Sequence, residues 1–322
     1  MGAFEAIARD WHDRHRPTWT ERHAADVLGS LERLVFPAIG AMHVNDITPP
    51  LVLGVLRKIE ADHGGETARR VRQRMSAVFV FAIASGIGTA DPAGIVRGAL
   101  APVVKGKQPA ITDLDDLRAM LGKAEAEPAH PVTKAALRFL ALTVVRPGEL
   151  RGARWEEIEG LDGPDPVWRI PADRMKMKEE HVVPLVPAAV DVLRALHPLT
   201  GRGPLIFPNA RYAHKAMSEN ALGYLLNRAG YHHRHVPHGF RAAFSSIMNE
   251  RHPGNHDAIE ATLAHVVPGV RGAYMRAKFH DRRRVLLEEW AGLLLDGAVE
   301  PAAMLAAPRR PLLRVVASKD AA

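Results

Sequence analysis

The chain has 322 residues, 47% of them hydrophobic, and 43 Lys and Arg against 36 Asp and Glu give a formal net charge of +7. This hydrophobic content excludes a wholly disordered chain, and the length favours two domains over one. The basic balance favours a polyanionic partner, although a mildly basic enzyme of small molecules has the same composition.

Several classes of site and segment are excluded by what the sequence lacks. It contains no cysteine, so it offers no disulfide, thiolate metal site or cysteine nucleophile. Charges at Glu5, Arg9 and Asp10 interrupt the N-terminus where a signal peptide would need an apolar core. No apolar run reaches the roughly 20 residues that span a bilayer. We therefore expect a soluble protein of the reducing cytoplasm.

Apolar residues at helical spacing predict several helices in the first hundred residues. They begin near Phe4, after a capping-box spacing at Thr18–Glu21, at Thr48–Pro49 and near Glu66, and the last ends at Gly86. Six basic residues on the last two helices form a candidate phosphate-contacting surface: Arg57, Lys58, Arg69, Arg70, Arg72 and Arg74. A solvated charged face explains them equally well.

The helical period is lost where Pro102, Gly106 and Pro109 follow one another, which indicates a linker between domains. The tail after Gly297 is rich in alanine and proline, and we expect it to be loosely ordered. The predicted helical domain, linker, second domain and tail occupy residues 1–100, 101–112, 113–296 and 297–322.

The second domain opens with two predicted helices, at about 114–125 and 131–144. Arg146 follows the second, strongly apolar helix, at a turn where Pro147 can begin a new helix. An arginine at the end of a buried helix needs a partner. That partner is either Glu149 or a bound anion, and the local sequence leaves both open.

A change of period after Trp155 predicts a small antiparallel sheet with strands at 155–158, 167–170 and 181–185. The second hairpin carries Lys176 and Lys178, whose side chains either reach a ligand or are simply solvated. Helices then resume, and those predicted beyond the sheet lie at about 188–196, 218–229, 257–265 and 281–295.

Four clustered histidines, at positions 232, 233, 235 and 238, suggest a metal site. They do not share a helical face, and no acidic residue or cysteine lies among them, so we reject zinc binding and predict no metal site. Only His238 starts an amphipathic helix, and the other three are placed in a loop.

The stretch from 237 to 290 carries the chemistry. His238-Gly-Phe-Arg241, Leu263-Ala-His265 and Tyr274 place two imidazoles, a guanidinium and a phenol at short intervals. A phenol can attack a phosphodiester while cationic donors hold the charge that develops on the phosphoryl oxygens. No P-loop is present.

With these residues in view, the chain resembles the tyrosine recombinase (phage integrase) family, and most closely its prophage and genomic-island integrases. The resemblance runs from Phe4 to about Leu295. It rests on motifs that stand in the family's order: Arg146-Pro-Gly-Glu149, Arg174-Met-Lys176-Met-Lys178 before Pro184, His238-Gly-Phe-Arg241, Leu263-Ala-His265, and Tyr274-Met-Arg276 followed by Trp290.

The resemblance implies a mainly α protein, with a helical core-binding domain and a mixed α+β catalytic domain that has a small antiparallel sheet. It implies cleavage and rejoining of DNA through a 3′-phosphotyrosyl intermediate, without metal, cofactor or external energy, to integrate or excise a mobile element. The implied partners are double-stranded DNA attachment sites and DNA-bending accessory proteins. The implied assembly is a homotetramer on paired sites, with the free protein as a monomer. The implied location is the bacterial cytoplasm, at the nucleoid, with no membrane association.

The resemblance also implies a role for each motif residue. Tyr274 is the nucleophile, while Arg146 and Arg241 hold the non-bridging oxygens as planar forks. His265 donates a further hydrogen bond, and Lys176 is the general acid for the leaving 5′-hydroxyl. The remaining roles belong to Lys178 as a fallback acid, His238 as proton acceptor or phosphate ligand, and Glu149 as the residue that orders the network.

The sequence departs from the family pattern in two ways. Ala264 stands where the family usually has glycine, a change that we expect to be tolerated. The chain also starts directly at the core-binding helices, so the N-terminal arm-binding domain of many such integrases is expected to be lacking. A fragment, a shortened gene and a simpler recombinase all remain open.

Two other functions remain alternatives. One is a DNA-binding remnant whose chemistry has decayed, although all six catalytic positions are filled. The other is a type IB topoisomerase, which uses the same chemistry but relaxes DNA of any sequence.

Overall fold

A computed structural model describes residues 2–102, 106, 108–265 and 278–306. The chain divides into two compact units, Met1–Gly106 and Lys107–Ala322. Their described residues are mostly helical, with one three-stranded antiparallel sheet. The predicted fold class, mainly α with a small antiparallel sheet, is confirmed.

The first unit is a bundle of helices around one apolar core. Phe4, Leu31, Leu56 and Phe79 are fully or almost fully buried in it. Its helices are α1 Phe4–His15, α2 Glu21–Leu34, α3 Pro49–His63, α4 Gly65–Ala84 and the single turn α5 Pro92–Ile95.

The start of α2 differs from the sequence prediction. The capping side chain is that of Thr20, whose oxygen accepts from the His23 backbone N–H at 3.2 Å, whereas Thr18 bonds back to the His15 carbonyl. Both threonines are chemically able to cap a helix, so the spacing Thr18–Glu21 did not distinguish them.

The second unit packs its helices around α7, in which nearly every residue is buried. The buried Arg138 guanidinium binds the buried Glu125 carboxylate and also donates to the Val299 carbonyl at 2.6 Å. The helices of this unit are α6 Leu114–Ala126, α7 Pro131–Thr143, α8 Pro147–Arg151, α9 Pro187–Thr200, α10 Ala221–Leu226, α11 Gly239–Arg251, α12 His256–Thr262, α13 His280–Leu294 and α14 Pro301–Ala306.

Two of these elements differ from the sequence prediction. Helix α10 begins after Asn220, not at Ser218. Residues 301–306 of the tail, which we expected to be loosely ordered, form α14, where Met304 and Leu305 are buried in the core of the unit; the tail beyond 306 lies outside the described residues. Their apolar side chains explain the docking, because their burial removes hydrocarbon from water.

The sheet consists of β1 Ile158–Glu159, β2 Val167–Ile170 and β3 His181–Pro184, in that order and antiparallel. The first strand is shorter than predicted because residues 155–157 form a 3₁₀ turn. Glu157 caps the start of that turn, since it accepts from the Arg154 backbone N–H at 3.1 Å, and it also accepts from the Trp168 indole at 2.9 Å. Across the described residues no helix is long and apolar enough to cross a membrane.

Candidate active site

Arg146 lies at a sharp turn between α7 and α8. Val144 ends α7 in the left-handed conformation, with φ of 48°, and Pro147 then begins α8. The Glu149 carboxylate accepts from the Arg146 backbone N–H and from its Nη1, both at 2.8 Å, and the Arg146 Nη2 donates to the Ala264 carbonyl at 3.0 Å. Glu149 is therefore the partner of Arg146 in this structure. The remaining N–H donors of the guanidinium are still able to bind an anion.

Arg241 lies on the first turn of α11 and is only 4% exposed. Its Nη1 donates to the Val144 carbonyl at 2.7 Å and its Nη2 to the Leu263 carbonyl at 2.5 Å. Burial and the neighbouring Arg146 lower the pKa of Arg241 to about 10, which leaves it charged at neutral pH. Its Nε is buried without a hydrogen-bond partner among the described residues.

His265 completes a direct contact with Arg241. Its Nε2 lies 2.9 Å from the Arg241 Nη2, and its Nδ1 lies 2.8 Å from Glu260 Oε2. Because a guanidinium only donates, Nε2 is the acceptor and Nδ1–H donates to Glu260. This network therefore assigns the tautomer of His265.

The residue before His265 has an unusual backbone. Ala264 has φ of 48°, in the left-handed region that glycine occupies with little strain. The turn lets the Ala264 carbonyl accept from Arg146 while the Leu263 carbonyl accepts from Arg241. This geometry explains a preference for glycine at the position and shows that alanine is accommodated.

His238 precedes α11 and belongs to the same electrostatic group. Partial burial, followed by Arg241, Arg146 and His265, lowers the pKa of His238, and Glu149 opposes them. A neutral imidazole at physiological pH can accept a proton or a hydrogen bond.

Five of the predicted site residues thus come together: Arg146, Glu149, His238, Arg241 and His265. Two guanidiniums share this site, and Arg146 makes the charged form of Arg241 less favourable. A bound anion relieves that repulsion, and a tetrahedral oxyanion matches the planar donors of two arginines. The arrangement is therefore suited to an anionic, oxygen-rich ligand.

The structure does not bring the two predicted lysines into this group. Lys176 and Lys178 are exposed on the turn between β2 and β3, and the Lys178 Nζ donates to the Asp173 carbonyl at 3.1 Å. Within the described ranges Lys176 makes no hydrogen bond or ion pair. Tyr274 lies outside the described residues.

Three supporting residues were not singled out from the sequence. Arg174 donates to the Glu149 carbonyl at 2.5 Å and pairs with Glu157, which ties the sheet to α8. Glu260 orients His265, and His181 is a buried neutral imidazole whose pKa is lowered to about 3 by burial and then by Arg283, Arg241 and Arg146. Glu260 and His181 lie inside ordinary helical and strand patterns, and Arg174 was named only as the first residue of the Lys176 motif, so the sequence carried no signal of these roles.

The histidine cluster does not act as a unit. His232 and His233 are exposed, with ring centroids 3.7 Å apart, whereas His235 is 1% exposed. His235 lies in the predicted loop before α11, but its side chain is buried there. Among the residues that the structure covers, no three histidine or acidic side chains come together as a metal-ligand set.

The six basic residues of the first unit fall into two kinds. Arg74 donates to the Asp26 carbonyl at 3.0 Å and to Ser30 Oγ at 2.5 Å, and Arg72 donates to the Ala93 carbonyl at 3.2 Å. These two join helices and loops of the bundle. Arg70 pairs with Glu66 on the surface. The other three residues make no hydrogen bond or ion pair in the described structure: Arg57, Lys58 and Arg69.

A helical unit followed by a mixed unit with two neighbouring arginines is the arrangement expected of a DNA integrase. Residues 4–99 match the phage integrase central domain and residues 111–280 the phage integrase family. The chain belongs to the phage integrase family and is a tyrosine site-specific recombinase.

Individual relatives and solved structures agree with this assignment. The integrase of Enterobacteria phage P4 is 34% identical over 307 residues, which cover 90% of this chain and 69% of the relative. The prophage integrase IntA of Escherichia coli (strain K12) is 33% identical over 90% of this chain and 70% of its own.

Two lambda integrase structures share the fold. A dimer bound to a COC′ core site aligns with TM-score 0.63 at 17% identity, covering 80% of this chain and 95% of that one. A tetramer bound to a Holliday junction aligns with TM-score 0.64 at 16% identity, covering 82% and 78%.

Proposed function

We propose that the protein cleaves and rejoins DNA at specific sites through a covalent 3′-phosphotyrosyl intermediate, with Tyr274 as nucleophile, to integrate or excise a mobile element. The observation that carries the proposal is that Arg146 and Arg241 donate to the adjacent carbonyls of Ala264 and Leu263, with His265 in contact with Arg241. Two converging forks of this kind fit the non-bridging oxygens of one phosphodiester.

The free site is held together by contacts that a phosphate can replace. At present His265 Nε2 accepts from Arg241, so it has no proton to give to a ligand. A phosphate oxygen placed between these residues accepts from Arg241 directly. Glu260 then supports a protonated His265, whose Nε2–H donates to the same phosphate.

The transition state spreads charge over the phosphoryl oxygens, and fixed cations stabilise it without reorganisation. His238, with its lowered pKa, accepts the tyrosine proton or binds the phosphate. Lys176 protonates the leaving 5′-hydroxyl, with Lys178 as fallback. Because Lys176 lies on an exposed hairpin, it must approach the site when DNA binds. The phosphotyrosine bond retains the energy needed for resealing.

The partner we propose is double-stranded DNA, bound by the catalytic unit through its arginines and by the helical unit through Arg57, Lys58, Arg69 and Arg70. The related lambda integrase structures contain a dimer on a core site and a tetramer on a Holliday junction. By analogy, we propose assembly of this chain into a tetramer on paired attachment sites. Neutralisation of several phosphates makes binding weaken steeply with salt, and a flat response would speak against it.

Covalent trapping tests the proposal. The protein is incubated with nicked duplexes that carry candidate attachment sequences, and a denaturation-resistant adduct is sought. An adduct on one sequence and not on its scrambled control supports site-specific cleavage, whereas salt-sensitive binding with no adduct on any candidate supports a decayed remnant. Relaxation of arbitrary supercoiled plasmids would instead identify a topoisomerase.

A further inference from the structure

We propose that His235 is a positioning residue for strand cleavage. It fastens the leading segment of the catalytic unit, Pro109–Ile111, to the turn that presents His238 and Arg241. This inference rests on the proposed cleavage reaction, and none of the roles described above requires His235.

Two hydrogen bonds join the segment to the turn. The Ile111 backbone N–H donates to His235 Nδ1 at 3.1 Å, and the Val236 backbone N–H donates to the Pro109 carbonyl at 3.3 Å. The partners are more than 120 residues apart in the chain, so the contact is not a product of local folding. We call this pair of bonds the His235 bracket.

The bracket continues directly into the catalytic turn. The His235 ring packs edge-on against Phe240, with centroids 4.8 Å apart, and the Gly239 N–H donates to the Val236 carbonyl at 2.7 Å. Phe240 is fully buried and is followed by Arg241. Movement of the His235 ring is therefore transmitted to the residues on either side of Gly239, which are His238 and Phe240–Arg241.

Gly239 packs closely against both His235 and Pro109. A Cβ atom at this position would lie 2.9 Å from His235 Cε1 and 3.1 Å from the Pro109 carbonyl oxygen. Both distances are shorter than ordinary van der Waals contact. The glycine of the His238-Gly-Phe-Arg241 motif is therefore required by the bracket.

The chemistry of His235 is matched to an acceptor role. Because Nδ1 accepts from Ile111, the proton of the neutral ring lies on Nε2, which is buried without a partner among the described residues. An apolar ring would fill the same space without leaving a buried N–H unpaired. Unlike an apolar ring, the imidazole of His235 is able to accept the hydrogen bond from the Ile111 N–H.

Three full-length variants separate positioning from folding. His235→Phe keeps a ring and removes the acceptor, while His235→Asn keeps an acceptor at the place of Nδ1 because its Oδ1 is also bonded to Cγ. His232→Phe, at an exposed neighbour, is the matched control. Since a misplacement near 1 Å can reduce a rate about 100-fold, we expect His235→Phe to cleave a nicked attachment duplex at least about tenfold more slowly.

The comparison has defined outcomes. We expect DNA binding by His235→Phe within about twofold of wild type, since the phosphate-contacting groups are unchanged, and recovery of most of the cleavage rate in His235→Asn. His232→Phe should behave as wild type. Wild-type cleavage by a folded His235→Phe, or equal loss in the phenylalanine and asparagine variants when both are folded, would overturn the proposal.

Histidine-ring NMR gives a readout that does not depend on activity. In the wild-type protein His235 should be the neutral Nε2–H tautomer, and a ring protonated on Nδ1 would refute the bracket even if the variants failed to fold. In His235→Phe the pKa of His238 should rise toward its ordinary value of about 6.5 as the ring becomes more exposed and moves away from Arg146. Absence of a covalent adduct with wild-type protein would refute strand cleavage, whereas the tautomer result would still decide the bracket.

Discussion

Replacement of Arg146 by lysine keeps the charge and removes the planar fork. In the structure the guanidinium reaches in two directions, to Glu149 Oε1 at 2.8 Å and to the Ala264 carbonyl at 3.0 Å. A lysine ammonium can retain the ion pair with Glu149, but it cannot hold both partners and also present two parallel donors to a phosphate.

The expected losses of stability and rate are very different. The Arg146 side chain is 22% exposed, so water can replace the donor lost to Ala264. We expect Arg146→Lys to reduce the free energy of unfolding by only about 1 kcal/mol. Cleavage should fall by about 100- to 1,000-fold, the effect of removing one fixed donor from a developing oxyanion.

Arg151→Lys supplies a matched control on the same short helix. Arg151 is 24% exposed, donates from Nε to the Met217 carbonyl at 2.7 Å and pairs with Glu219 at 3.0 Å. Its lysine variant should lose similar stability and retain cleavage. The assay is single-turnover adduct formation on a nicked duplex, with unfolding followed by denaturant titration. Near-normal cleavage by Arg146→Lys, or equal rate losses in both variants, would refute the phosphate-fork assignment.

Three further predictions concern the same site. Ala264→Gly should raise the free energy of unfolding by about 0.5–1 kcal/mol, because glycine relieves the positive φ, and a lower midpoint in denaturant would contradict this. Glu260→Gln should slow cleavage more than it weakens DNA binding, since the carboxylate that supports a protonated His265 is lost, with Glu250→Gln on exposed surface as control. Burial lowers the pKa of His181 to about 3 and that of His235 to about 4, so between these values and about 6.5 the unfolded chain binds protons that the folded chain does not. Stability should therefore fall on acidification from pH 6.5 to 5, with a slope that approaches about 1.4 kcal/mol per pH unit for each of the two histidines, and His235→Asn should remove one such contribution; an unchanged slope in that variant would contradict it.

Much of the fold follows from local patterns in the sequence. The apolar stripes of α2, α4 and α7 and the proline starts of α3 and α8 placed these helices to within a few residues. The sequence predictions of helix and strand ends fail where the local residues are compatible with more than one cap or element. Either threonine could cap α2, and Trp155 could open a strand or a 3₁₀ turn.

The candidate site was predictable in part. The Arg146–Glu149 pair lies within one turn of chain, and the local sequence indicated it as one of two alternatives. The contacts of Arg241 with Val144 and Leu263, and of His235 with Ile111, join residues far apart in sequence, so no local pattern could reveal them. The burial of His235 depends on the same kind of distant contact, because the polar stretch around it gives no indication of Ile111.

Peptide mapping of the trapped adduct tests the central claim most directly. After denaturation and proteolysis, the peptide that carries the nucleotide is identified by mass spectrometry, together with the end of the DNA to which it is joined. Our account predicts a 3′-phosphate linked to Tyr274 and no adduct with Tyr274→Phe. Linkage to another residue or to a 5′-phosphate, or an undiminished adduct in Tyr274→Phe, would contradict it.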